Sequence, residues 1–343
     1  VKEEVRHADA AQRALPMAAI VFVGGIALLL FGLALSISVG AISIPLHTVW
    51  DTWIRFDPDQ NQHLVIRDLR IPRALAGALT GAGFAVAGAV MQGLTRNPLA
   101  DSGLLGLNAG SGLMLAICFA FMPNLPYSQM MLLSFAGAAI GALLVFGIGA
   151  MGRGGMTPLR LTIAGAAVTS LLLALSEGIA LIYRIGQDLA FWYAGGLAGI
   201  QWEQVRWSSP WIGGGILAAF CYSRSLTLMS MGDEVATGLG QAVGRVRIVC
   251  MLAVLVLAGA AVSMAGPIAF VGLIIPHAVR MLVGTDYRLV IPCSAVVGSL
   301  LMVYADIAAR MIRPPYETPI GMLVALIGVP AFLILARRDR KVF

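Results

Sequence analysis

Continuous apolar runs, each too long and too unbroken for alternating strands, dominate the pattern along this chain. They fall at about residues 17–39, 71–94, 103–122, 129–150, 161–183, 208–223, 247–265, 268–284, 289–306 and 319–336. A run of 18 or more apolar residues is long enough to cross a hydrocarbon core of roughly 30 Å. The pattern predicts an all-α polytopic membrane protein of about ten transmembrane helices. Pro276, His277 and Arg280 interrupt the eighth run, which predicts a short or broken element there. Residues 1–16 read as a charged N-terminal tail, 17–336 as one helical membrane domain and 337–343 as a basic C-terminal tail. The charged N-terminus before a long apolar run argues against a cleaved signal peptide.

Composition sharpens this reading. Only 12% of the 343 residues are charged, against roughly 25% in a soluble domain. Mean hydropathy is +0.88, so no sizeable soluble domain fits. A formal charge of +6 spread this thinly does not point to nucleic acid. Basic residues are denser on the side holding both termini, which predicts cytoplasmic termini. Against that rule, Arg67, Arg70 and Arg73 crowd the stretch 67-RDLRIPRALAGALTGAG-83 on the opposite side, and Arg310 and Arg313 join them.

Glycines recur at four-residue spacing, as in Gly77/Gly81, Gly106/Gly110 and Gly137/Gly141. In lipid such spacing lets backbones approach closely. The stretch 81–99 aligns without gaps on 259–277, sharing Gly81/Gly259, Gly88/Gly266 and Pro98/Pro276. That match relates an inward-running to an outward-running segment, as an inverted repeat would.

Catalytic chemistry finds little support. The only lysines, Lys2 and Lys341, lie in the tails, and no phosphate-binding G-x-x-x-x-G-K-[ST] loop exists. His7, His47, His63 and His277 are scattered without ligand spacing, so no metal site is expected. Cys118, Cys221, Cys250 and Cys293 read as small buried hydrophobes. In 92-QGLTRNPLADSGLLGLNAGSG-112, Pro98 disfavours helix at Asn97, and Asn97, Asp101 and Ser102 can cap the next helix. This break is either an ordinary turn or a constriction. Glu177 lies inside an apolar run, where a carboxylate is costly. It either pairs with an arginine or lines a polar route with Thr162, Thr169, Ser170 and Ser176. The loop at about 224–246 predicts a short helix Asp233–Leu239 ended by Gly240. Its Met229, Met231, Val235 and Leu239 suit either a membrane surface or a partner's groove.

Four stretches together resemble one family: 70-RIPRALAGALTGAGFAVAGAVMQGLTRNPLADSGLLGLNAGSG-112, 266-GPIAFVGLIIPH-277, 305-ADIAAR-310 and 317-ETPIGMLVALIGVPAF-332. They are similar to the FecCD permeases of binding-protein-dependent ABC importers for iron-siderophores, haem and cobalamin. The resemblance implies a ten-helix, type II importer subunit in the bacterial cytoplasmic membrane. It would pair with a second copy or a paralogue, with two ATPase subunits holding ATP and Mg, and with an extracytoplasmic solute-binding protein. No cofactor is expected on this chain itself. Residue by residue, the resemblance assigns Arg70, Arg73 and Arg310 to binding-protein docking and Asn97, Leu99, Thr157 and Pro158 to the cytoplasmic gate. It assigns Gly232, Asp233, Glu234, Leu239 and Gly240 to ATPase coupling. The outer segments 47–73 and 186–202 look most like hydroxamate-siderophore members. Haem or cobalamin import is the alternative substrate reading, and an ion-coupled secondary transporter is the alternative class.

Overall fold

The computed structural model describes residues 2–40, 44–101, 103, 106–151, 158–314 and 316–339. All regular structure among them is helical. In chain order, α1 is Lys2–Ser38, α2 Leu46–Ile54 and α3 Asn61–Leu64, and a π-turn over Val65–Arg70 leads into α4, Ile71–Thr95. Then come α5 Leu107–Phe121, α6 Tyr127–Ala150, α7 Pro158–Tyr183, α8 Gly186–Ala194, α9 Trp202–Cys221, α10 Ser223–Ser230 and α11 Asp233–Gly238. The last four are α12 Val243–Ala265, α13 Val271–Val283, α14 Tyr287–Ile312 and α15 Ile320–Asp339.

Each of the ten predicted apolar runs falls on one of these helices. Among the described residues, six helices are long and apolar enough to cross a membrane alone, and α9 with α10, bent by 57° at their junction, passes the same test only when taken together. Shorter apolar helices occupy the other three positions, at Leu107–Phe121, Val271–Val283 and Ile320–Ile334. The eighth run is indeed short: α13 has 13 residues with Pro276 inside it.

The bundle is organised around α4. Its best apolar window is 83% buried, against 17% for α1 and 28% for α7, so α4 is the core and the other two are faces. It packs against α14, α12, α13 and α9. Small residues make this close contact work. A Cβ on Gly88 of α4 would lie 1.9 Å from the Gly272 carbonyl oxygen of α13, and between α5 and α6 one on Gly110 would lie 2.1 Å from that of Gly137. No side chain fits at such distances, so these glycines set the helix spacing. Gln92, buried in α4, donates to the carbonyls of Gly272 and Leu273, both at 3.1 Å, and accepts from Arg280. That bond takes Arg280 into the interior.

Three expectations change. The helix through Ile71 does not begin there; it runs from Asn61 to Thr95 through the π-turn. Pro72 is the physical reason for that turn. Its ring clashes with the carbonyl four residues back, and a wider turn relieves the clash. The proposed repeat does not extend to local structure. Residues 81–95 are continuous helix, whereas α12 stops at Ala265 and Gly266 breaks the chain at φ 71°. Cys221 is exposed, unlike the other three cysteines.

Candidate functional site

The crowded arginines converge at one end of the bundle. The C-terminus of α1 leaves its last carbonyls without helical partners. No basic residue of α1 itself lies in its last turn. Arginines from the π-turn before α4 and from α14 fill that role. Arg70 Nη1 donates to the carbonyls of Ile37 at 2.7 Å and Ser38 at 2.8 Å. Arg310 Nη1 donates to those of Ser36 at 3.0 Å and Val39 at 2.9 Å, and its Nη2 donates to Ser36 Oγ at 2.7 Å. Cations at this pole complement the helix macrodipole.

Asp306 holds the cluster together. Arg73 grips it with Nε at 3.0 Å and Nη2 at 2.8 Å from Oδ1, while Arg310 Nη2 sits 3.0 Å from Oδ2. The remaining Nη1 of Arg73 bonds Glu317, on the connection between α14 and α15. Such forked, charge-assisted contacts are the strong ones, and here they are largely withdrawn from water. The side chains of Asp306, Arg310 and Arg73 are 2%, 8% and 13% exposed, against 40% for Glu317. The expected docking arginines are therefore together in space but turned inward. Arg67 and Arg313 stay exposed, each with its guanidinium over an aromatic ring, Phe56 and Tyr316.

At the far end of α4, Arg96 terminates the helix in a left-handed conformation at φ 52°. Asn97 then folds the chain back. Its Oδ1 accepts the Leu99 N–H at 2.9 Å, and its carbonyl accepts from Ala100 at 3.1 Å. Neither Asn97 nor Asp101 caps α5, because Gly106 holds the N-cap position. Pro158 opens α7, while Thr157 lies outside the described residues, as does Ser102.

The short helix in the 224–246 loop forms as α11. Gly232 precedes it at φ 132° and Gly240 follows it at φ 79°. The Gly240 N–H reaches Thr237 O at 2.9 Å and the Gln241 N–H reaches Ala236 O at 3.0 Å, the paired bonds of a Schellman stop. Met231, Glu234, Val235 and Leu239 are exposed. Met229, grouped with them on sequence, is instead buried in α10. Asp233 is half-buried, with Arg247 at 2.7 Å and Arg96 at 3.7 Å.

On α7 the helical step of about 100° gathers Thr162, Thr169, Ser170, Ser176 and Glu177 within roughly a third of the circumference. Thr162, Ser170 and Glu177 are exposed, whereas Ser176 is buried and donates to Leu172 O at 2.9 Å. Glu177 forms no ion pair among the described residues. His63 is buried and accepts the Asp57 N–H at 3.0 Å. No group of three His, Cys, Asp or Glu able to hold a metal occurs among the described residues.

Sequence reasoning passed over Asp306, Glu317, Arg96 and Arg247. A carboxylate four residues before Arg310 in an apolar run was the available signal for Asp306.

An all-helical polytopic bundle with a polar stripe on α7 and a presented helix at one end is the architecture of a membrane permease. The chain belongs to the FecCD transport family, whose model matches residues 28–338. It is 51% identical over 324 residues to the iron(3+)-hydroxamate import system permease protein FhuB of Bacillus subtilis (strain 168), covering 94% of this chain and 84% of that one. It is 35% identical over 326 residues to the hemin transport system permease protein HmuU of Yersinia pestis, covering 93% and 96%. Among solved structures it is similar to an inward-facing metal-chelate type ABC transporter, with a TM-score of 0.79 and 28% identity over 93% of this chain and 99% of that one.

Proposed function

We propose that this chain is the membrane permease of an ABC importer for iron(III)-hydroxamate siderophores. The observation that carries the substrate is the 51% identity to a hydroxamate permease across 94% of the chain, against 35% to a hemin permease. The chain supplies a route and conformational change; a separate ATPase holds ATP and Mg. The exposed surface of α11 and its flanks, with Met231, Glu234, Val235 and Leu239, is suited to an ATPase cleft, as a short helix in a groove. The Gly232 and Gly240 turns fix its direction. On this reading α11 and both termini lie in the cytoplasm. The Asn97–Leu99 turn then sits at the inner mouth and serves as the gate together with Thr157 and Pro158.

The polar stripe of α7 faces the axis between two permease copies and lines the route, with Glu177 wetted by it. An extracytoplasmic binding protein docks on the Arg70, Arg73 and Arg310 end. Residues 17–336 act as one permease unit. Reconstitution with the ATPase and binding protein, followed by uptake of a panel of 55Fe-loaded hydroxamates, haem and cobalamin, tests this. Hydroxamate uptake that requires ATP is expected. Preferred haem or cobalamin uptake overturns the substrate, and uptake driven by membrane potential without the ATPase overturns the class.

A further inference from the structure

The arginine cluster raises a difficulty for docking, since its guanidinium groups already have partners. We infer that Glu317 is an internal stand-in for a carboxylate of the docking protein, holding Arg73 until that acidic residue takes its place. The inference rests on the docking reading above.

Three observations single out Glu317. It is the one strongly exposed member of the cluster, at 40%, while Asp306 is 2% exposed. It lies on the connection between α14 and α15, whereas the other members lie on or directly beside packed helices. It also occupies only Nη1 of Arg73, because Nε and Nη2 belong to Asp306. Beside it a narrow cleft runs between the end of α8 and the start of α15, lined by Arg73, Phe191, Ala194, Glu317, Thr318 and Pro319. Its free volume is about 30 Å³, room for about one water and not for a carboxylate. An incoming acid takes over the Nη1 position that Glu317 holds where Glu317 swings out.

The exchange costs little. One charge-assisted bond replaces another, and Glu317 moves to water it already partly touches. The pairing around Arg73 is the same before and after. Arg70 and Arg310 cannot take part in this way, because withdrawing them uncaps α1. The docking surface is thus one exchangeable edge of Arg73 on a fixed base, and the partner it fits presents a projecting Asp or Glu.

The test compares binding of the solute-binding protein, loaded with a ferric trihydroxamate, to the nanodisc-embedded transporter. Glu317→Gln is expected to tighten binding roughly two- to fivefold, the range of one exposed ion pair. Arg73→Lys keeps a charge for Asp306 but removes the Nη1 edge, and is expected to weaken docking and to abolish the gain from Glu317→Gln. Unchanged docking in Arg73→Lys overturns the docking reading itself. Weakened docking in Arg73→Lys, with no gain in Glu317→Gln, overturns only the stand-in role. A partner-free measurement checks the premise: phenylglyoxal should label Arg73 faster in Glu317→Gln while Arg70 and Arg310 stay protected. Equal labelling of Arg73 in both forms overturns it.

Discussion

The two ends of α4 both carry arginines and treat them in opposite ways. At the Arg73 end, Asp306 binds two guanidinium groups at 2.8–3.2 Å and the pairing is largely buried. At the Arg96 end, Arg96 and Asp233 are 47% and 38% exposed and stand 3.7 Å apart. Asp233 Oδ1 is shielded from solvent yet accepts no hydrogen bond. The first end is finished; the second has a sealed acceptor that a movement under 1 Å would satisfy. In an importer worked from below, slack belongs where a partner pushes, and rigidity where a helix end must stay capped.

The largest effect is expected from breaking the finished end. Asp306→Asn keeps the shape and removes the charge that holds Arg73 and Arg310. Breaking a buried ion pair by removing one partner costs about 3–5 kcal/mol. Denaturant unfolding of the purified protein should show a loss of that size. A loss under about 1 kcal/mol would mean that water already compensates the cluster, and the contrast with the Arg96 end would disappear.

Much of this contrast was legible in the sequence, but not its cause. The unbroken apolar runs located the helices, because continuous hydrophobicity over about 20 residues has few other solutions. Gly240 and Asp233 marked α11, because helix stops and starts are local. The excess arginines were visible as an anomaly. Their partners were not, since Arg73 and Asp306 are 233 residues apart. No local pattern in the sequence pairs them. The helices α2, α3, α8 and α10 were missed because four- to nine-residue helices carry too few turns for a periodic signal.

The loose end yields a different kind of prediction. Exposed ion pairs contribute about 0–1 kcal/mol, so Asp233→Asn should barely change unfolding. It removes the joint between α11 and both α4 and α12, however. In the reconstituted transporter, uptake per ATP hydrolysed should fall by about tenfold or more while ATPase assembly persists, a loss on the order of 1.4 kcal/mol of coupling. Equal ratios in the two proteins would make Asp233 a surface charge and return the coupling to the apolar face of α11 alone.

The smallest effect asks whether the slack is general at that end. Asp286 caps α14, accepting the Arg288 N–H at 3.0 Å, and Thr227 of α10 donates to it at 3.3 Å. Hydrogen bonds from the Arg288 side chain hold the Asp286 carboxyl below its ordinary range, outweighing its partial burial. A depressed folded value means that the stabilisation is full above the ordinary carboxylate range. It is lost as pH falls through the folded value. Asp286→Asn keeps a capping acceptor without the charge. The stability difference between wild type and Asp286→Asn, below about 1 kcal/mol at pH 7, should therefore shrink towards pH 3. A difference that ignores pH would remove the charge from the α10–α14 contact. A shrinking one shows a charge-fixed contact on the same side as the loose Arg96–Asp233 pair, so that the slack there is local to α11.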